Sequence, residues 1–396
     1  MTLRTTTLLA VICAVAVAAV YAAQPILTDM GRGLGVPTDA LGWLVAAGQV
    51  GYLLGLVLLV PLGDLVDRRR LIAVHLVVVA VGLLTVAVAP VAWVAFGGLA
   101  SAGLFAVVVQ TTVAYAAAAS APGERGRTLG FVTSGVVIGI LGSRLLAGGV
   151  ADLWGWRSVY LTLSVVAASS AAAALLLLPA DVRSPSRRYA DLLREAGRLF
   201  VDPAFLSRGL IAFFLFASFG TLWSGMALPL SGAPWHLTQV QIGLFGLAGL
   251  AGALGASRAG RRADAGQANA VSGIALAVLL ASWMLIGQLP WTLTLLTIGV
   301  VVLDFAVQAV HVGNQHILVA WHADRVSTTI GAYMVFYSLG SATGAASTTA
   351  VYGTAGWAGC AILGAVFAGA GLLAWALGVP AVRAARTTRP RATLGA

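Results

Sequence analysis

Apolar runs of about 20 residues, the length needed to cross a hydrocarbon core of roughly 30 Å, recur along this chain from end to end. Twelve are read here, near 7–27, 40–62, 71–89, 93–118, 128–150, 158–179, 208–229, 238–259, 268–288, 291–318, 328–350 and 357–379. Inside lipid every backbone N–H and C=O must find a partner within the protein, so runs of this length fold as helices. Composition agrees: 60% of the 396 residues are hydrophobic and 9% are charged, where soluble domains hold about 25% charged residues. The expected fold class is therefore all-α integral membrane. The first run is long for a secretory signal and no cleavage motif follows it, so it is counted as a span.

The net charge of +10 would suggest a nucleic-acid partner if it were clustered on one face. Its placement says otherwise. All 23 basic residues are Arg, and 20 of them lie on alternate loops or at the termini. These are Arg4, the run Arg68 to Arg70, Arg125 and Arg127, six from Arg183 to Arg208, Arg258, Arg261 and Arg262, Arg325, and four from Arg383 to Arg391. The opposite loops hold Arg32 and Arg157, and Arg144 falls inside an apolar run. This asymmetry is the positive-inside pattern, which puts both termini in the cytoplasm and the bilayer, not nucleic acid, as the partner. Cys13 and Cys360 fall in the first and last runs, so neither a disulfide framework nor a thiolate metal site is expected, and no cofactor.

The stretch 179–205 is the longest polar segment. It divides the chain into an N-terminal bundle of six helices (1–179), a cytoplasmic linker (180–206) and a C-terminal bundle of six (207–396). Within the linker, "YADLLREAGRLF" has helical spacing and both charge signs; it suits either the membrane surface or solvent. Two landmarks repeat at one offset. Asp64 and Asp264 lie 200 residues apart after the second and eighth runs, and Gly155 and Gly356 lie 201 apart before the sixth and twelfth. Six helices per copy keep both copies in one orientation, a parallel repeat of the kind that builds a substrate site between halves.

With these features, and with "PLGDLVDRRRLI", "GRRADAG", "YAAQPIL", a glycine-rich fifth run and "LDFAVQAVHVGNQ", the whole chain resembles the major facilitator superfamily, in its bacterial drug/proton-antiporter-like branch. The loop after the second run shares Asp64, Arg68 and Arg69 with the superfamily signature, while Val60 and Asp67 replace usual glycines. Two antiporter features are absent: a proline after glycine in the fifth helix and an intramembrane Arg in the fourth. The resemblance implies twelve helices in the inner membrane, a cavity lined by helices one, four, seven and ten, and a single chain acting as a monomer.

Inside the tenth run, Asp304, Gln308, His311 and Gln315 fall within about 60° of one another at 100° per residue, with Asn314 on the flank. Intramembrane polar groups face the protein interior or a wet cavity, so this stripe is expected on the transport pathway. Of the 13 acidic residues, Asp304 is the one near the middle of a run. Desolvation disfavours the ionised carboxylate there, which suits loading and release of a proton; the alternative is an Asp that ties helices together. His311 suits a relay or a hydrogen-bonded core position. Gln308 and Gln315 bind substrate or bridge helices. Arg144 has three readings: snorkelling to the interface, binding an anion, or gating through an ion pair. Gly135, Gly139 and Gly142 allow close helix packing, expected between the halves. Tyr21, Gln24, Gln110, Trp223 and Tyr337 are further wall candidates; the stripe Phe216, Phe219, Trp223 suits packing or lipid as well as substrate, and Tyr333 shares that ambiguity with Tyr337. Asp64, Arg68, Arg69 and Asp264 are expected to latch the cytoplasmic side when closed, against the simpler reading of topogenic charge.

The expected function is a proton-coupled secondary transporter exporting a small, partly apolar molecule, with Asp304 and His311 carrying protons. Proton-linked uptake or facilitated diffusion is the alternative. A membrane enzyme or receptor is disfavoured: the chain has no H-x-x-x-H pair, nucleophile elbow or P-loop, and no sizeable extramembrane domain.

Overall fold

The computed structural model describes residues 2–120, 124–181, 188–255, 267–321 and 326–388, whose regular elements are all helices, without a strand among them. In chain order the helices are α1 (Leu3–Tyr21), α2 (Leu27–Leu34), α3 (Gly42–Leu58), α4 (Arg68–Ala87), α5 (Ala92–Phe105), α6 (Val108–Ala119), α7 (Arg125–Trp154), α8 (Trp156–Leu177), α9 (Tyr189–Leu199), α10 (Pro203–Gly225), α11 (Ala227–Ser231), α12 (Gln239–Gly255), α13 (Ala268–Ile286), α14 (Leu293–Trp321) and α15 (Val326–Thr388). Ten stretches among the described residues are long and apolar enough to cross a membrane. The last, Thr328–Gly378, is 51 residues long and bends at Gly356 (φ 60°, ψ −158°). A shorter apolar helix, Gln239–Gly252, lies next to a segment outside the described residues.

Local chemistry sets the breaks. Gly155 (φ 81°, ψ 162°) separates α7 from α8, and Gly356 turns α15 with a similar positive φ, a conformation that glycine alone adopts without strain. The sequence landmark at 155 and 356 thus has a backbone counterpart. Asp67 caps α4 by accepting from Arg69 N at 2.9 Å, and Asp202 caps α10 by accepting from Ala204 N at 2.9 Å, with Pro203 at the first helical position, where its missing N–H costs nothing. Near Pro25 the first span loses its helix: α1 ends at Tyr21, and turns carry the chain to α2. The apolar run 7–27 predicts one continuous helix through Tyr21 and Gln24; in the structure both sit at its broken end.

Outward surfaces carry large apolar side chains such as Trp93, Leu176, Met284 and Trp291, each at least three-quarters exposed, as a lipid-facing shell requires. Within the first half, α1 packs on α7 and α3 on α5; within the second, α10 packs on α15 and α13 on α14. The halves meet where α7 packs on α12 and α3 on α15. Gly135 and Gly139 do not lie at that seam. A Cβ at either would fall 2.1 Å from Ala10 O or 2.5 Å from Ala14 O, so both serve the α1–α7 contact inside one half, and Gly142 faces open space apart from its own helix. The seam uses Gly148 against Gln239, Gly243 against Arg144 and Gly42 against Ala345.

At the end of the molecule bearing Arg32 and Arg157, hydrogen bonds cross that seam. Asp152 accepts from the backbone N–H of Gln239 and of Val240, each at 3.0 Å, and Gln239 Nε2 donates to Asp29 Oδ2 at 3.0 Å. Gly42 N donates to Thr349 Oγ1 at 2.9 Å, whose hydroxyl donates to Asp39 O at 3.0 Å. At the Arg-rich end α9 docks on protein: Tyr189 donates to Leu58 O at 2.8 Å, and Leu199 and Phe200 pack with Phe205, Tyr333 and Phe336. It is neither a free linker nor a helix lying on lipid alone.

Candidate functional site

Polar side chains from both halves of the chain converge in the protein interior. From the first half come Gln24, in the broken stretch after α1, and Arg144, on α7. Arg144 is 1% exposed, and its Nε and Nη2 donate to Gln24 Oε1 at 3.0 and 2.9 Å. From the second half, α10 presents Phe219 and Trp223. The guanidinium carbon stands 3.6 Å from the Trp223 ring centroid, with the Phe219 ring at 5.6 Å and the Tyr21 ring at 5.8 Å. This cation–π cage holds the charge at depth. Arg144 therefore does not snorkel.

Behind the indole lies Asp304 of α14. Trp223 Nε1 donates to its Oδ1 at 3.3 Å, while Oδ2 has no protein partner although the residue is 4% exposed. No ion pair within 4.0 Å joins Asp304 to Arg144 among the described residues; the ring stands between them. The carboxylate's hydrogen-bond partner is thus Trp223 and not Gln308 of its own helix. Gln308 is half-buried one turn further along.

The lower part of the stripe forms a second cluster. His311 Nδ1 lies 3.2 Å from Tyr333 Oη, and its Nε2 lies 3.2 Å from Gln315 Nε2. The Phe216 ring meets the imidazole edge-on at 5.1 Å and stacks obliquely on Tyr337 at 4.0 Å. Tyr337 in turn shares a short hydroxyl contact with Tyr21 across the seam. The aromatic stripe Phe216, Phe219, Trp223 is thus buried against the polar residues and does not face lipid. Seven residues separate His311 from Asp304, roughly 10.5 Å along the helix, and no hydrogen bond links them directly. Gln110 donates to Tyr52 Oη at 2.8 Å, further into the first half.

Two buried groups escaped sequence reading. Gln49 is fully buried on α3 with neither amide atom partnered; one glutamine in an apolar helix was the available signal. Arg208, counted above with the linker's topogenic charges, is fully buried and donates to Asn314 Oδ1 at 3.2 Å and Asn269 Oδ1 at 2.7 Å. It binds α10, α13 and α14 together, which explains the asparagine flanking the α14 stripe.

At the Arg-rich end, Arg68 is buried and donates to Gly63 O at 2.9 Å, Ala114 O at 3.2 Å and Asp64 Oδ1 at 3.0 Å, with Asp181 at 3.7 Å. Arg69 donates to Leu175 O. Among the described residues these partners all belong to the first half or the segment next to it. Asp264, the matching position of the repeat, lies outside the described residues. Metal-ligating clusters of His, Cys, Asp or Glu are absent among the described residues.

The chain as a whole has relatives among known proteins. The chain is 38% identical over 369 residues to the uncharacterized transporter YgaY of Escherichia coli, covering 93% of this chain and 94% of that one. Over 136 residues (34% of this chain, 25% of the other) it is 30% identical to the multidrug resistance protein Stp of Mycobacterium tuberculosis. In fold it resembles a bacterial homologue of the human lysosomal transporter Spinster, crystallised in an inward-facing and occupied conformation: TM-score 0.75 at 14% identity, covering 98% of this chain and 97% of that one. The family model for the Major Facilitator Superfamily matches residues 9–314. On this match and the full-length likeness to YgaY, the chain belongs to the Major Facilitator Superfamily and is a multi-pass membrane transporter of small-molecule substrates.

Proposed function

We propose that this transporter is proton-coupled and exports a small, partly apolar molecule by alternating access between two six-helix bundles. The carrying observation is Asp304: a carboxylate at mid-depth, 4% exposed, with one oxygen unpartnered and the other held by Trp223. Such a group exchanges protons at modest energetic cost only if each aqueous side reaches it in turn. One charge moved through 100 mV supplies about 2.3 kcal/mol, enough to drive concentrative transport. His311, hydrogen-bonded to Gln315 and Tyr333, forms a second polar station on the same helix.

The twelve-helix reading counts the 51-residue stretch bent at Gly356 as two spans and Gln239–Gly252 as one. It divides the chain at the linker, 180–206, into bundles 1–179 and 207–396. With the Arg-rich end in the cytoplasm, both termini are cytoplasmic and the bonds of Asp152, Gln239 and Thr349 close the outer face. This is then an outward-closed state of a monomer in the inner membrane. Asp64, Arg68, Arg69 and Asp264 form the opposing latch, engaged when the inner face closes. Arg144, Tyr21, Gln24, Gln110, Trp223, Gln308, Gln315 and Tyr337 supply the cargo's surroundings. The likeness to a multidrug resistance protein over a third of the chain supports export.

The test is proton flux in proteoliposomes on addition of cargo. Proton movement opposite to cargo supports export by exchange; movement with cargo establishes uptake coupling; flux of cargo without protons removes the role given to Asp304.

A further inference from the structure

A small cleft in the site, with room for about one water molecule in this closed arrangement and so needing to widen around any cargo, is lined by Gln24, Pro25, Arg144, Trp223, Met226 and Ile242. Its polar inventory is one-sided. Gln24 commits its carbonyl oxygen to Arg144, leaving its amide nitrogen without a protein partner; Arg144 commits Nε and Nη2, leaving Nη1 in the same condition. Both residues are 1% exposed. Two N–H donors, one cationic, are thus without a protein partner where desolvation makes unpaired donors costly. None of the lining residues is a carboxylate, and Asp304 stands behind the Trp223 ring. Pro25, Met226, Ile242 and the indole supply apolar wall.

From this geometry we propose that the cargo is an organic monocarboxylate with a compact apolar body. Its carboxylate accepts from Arg144 Nη1 and Gln24 Nε2, in the plane of the guanidinium whose face is already stacked on Trp223. Its apolar part lies against Met226, Ile242 and Pro25. A carboxylate satisfies both donors with charge-assisted hydrogen bonds; a neutral acceptor makes weaker ones, and a cation is repelled. The proposal rests on the reading of this cleft as the transport site. It agrees with export by proton exchange, because an anion leaving and a proton entering both move down an inside-negative potential.

The experiment uses the full-length protein, purified and reconstituted into liposomes. Acetate, butyrate, benzoate, phenylacetate and indole-3-acetate are each compared with their own neutral amide, and phenylacetate also with phenethylamine. Binding is read by titration calorimetry, and transport by counterflow of the labelled acid. At least one acid is expected to bind about tenfold or more tightly than its amide, with the amine weakest. Arg144→Gln is expected to reduce that affinity about 10-fold to 100-fold. Gln24→Glu sets a resident carboxylate against Arg144 and is expected to block the acid equally, with thermal unfolding in detergent unchanged. The proposal is overturned if no acid is preferred over its amide, if phenethylamine binds best, or if a folded Gln24→Glu protein retains wild-type affinity. Failure of proton coupling reads differently: labelled acid then exchanges through the wild-type protein with no proton flux. Failure of the cargo assignment alone leaves proton flux intact with neutral or cationic cargo.

Discussion

Arg144 and Asp304, contributed by opposite halves of the molecule, share one aromatic ring without touching each other: the guanidinium stacks on the face of Trp223 at 3.6 Å while the indole N–H donates to the carboxylate at 3.3 Å. Either charge alone would be costly at this depth. The ring gives each charge a contact of its own without a direct ion pair between them. It also links the cleft on the Arg144 side to the proposed proton site on the Asp304 side.

Because Trp223 serves both charges, its substitutions separate two effects. Trp223→Phe retains an aromatic face for Arg144 but removes the donor to Asp304; Trp223→Leu removes both. We predict that Trp223→Phe keeps cargo binding within about threefold and alters the proton-to-cargo ratio, whereas Trp223→Leu also loses roughly 0.5–2 kcal/mol of binding through the cation–π contact. Equal losses of binding in the two variants, measured by calorimetry, would count against the division of labour.

Asp304→Asn keeps size and hydrogen-bonding capacity while removing the titrating group. The expected result is loss of proton-driven cargo movement in vesicles, with cargo–cargo exchange surviving at no less than about a third of the wild-type rate. Undiminished proton-driven movement would show that the coupling group lies elsewhere.

Asp152 caps α12 from the opposite half, accepting from two backbone N–H groups. Removing a cap costs about 1 kcal/mol, here charged to the state in which the two halves meet at that end. Asp152→Ala is therefore expected to shift the equilibrium roughly fivefold toward opening there. Spin labels on α7 and α12 near that end would report a larger population of long distances; an unchanged distribution would contradict the assignment.

The glycine contacts give a stability test. A side chain at Gly139 meets the backbone of Ala14 at 2.5 Å, whereas one at Gly142 meets nothing closer than Ile138 of its own helix at 3.8 Å. Gly139→Val is expected to destabilise by about 1–3 kcal/mol through overpacking, and Gly142→Ala to be neutral or slightly stabilising through helix propensity. Thermal unfolding in detergent ranks the two.

Arg208 provides a control on charge reading. Its bonds to Asn269 and Asn314 predict that Arg208→Leu lowers thermal stability by roughly 1.5–3 kcal/mol for each charged hydrogen bond lost and leaves membrane orientation intact. Inverted topology in a protease-accessibility assay, with normal stability, would restore it to the topogenic set.

Hydropathy, charge asymmetry and the helical period are local properties, so sequence windows sufficed for the membrane class, the apolar helices and the breaks at Gly155 and Gly356, and they isolated Asp304 as an acid out of place. Which face of α14 is polar was legible for the same reason. What partners that face required the tertiary structure. Arg144 meets Gln24 through packing inside the first half and Trp223 across the seam, segments some 80 to 120 positions apart, and no window spans that distance. The same holds for Gly135 and Gly139, whose spacing announces a close helix contact but not with which helix, and for Arg208, whose place near the linker resembles topogenic charge until α13 and α14 fold over it. Periodicity fixes the direction of a side chain from its own axis; only packing decides what lies in that direction.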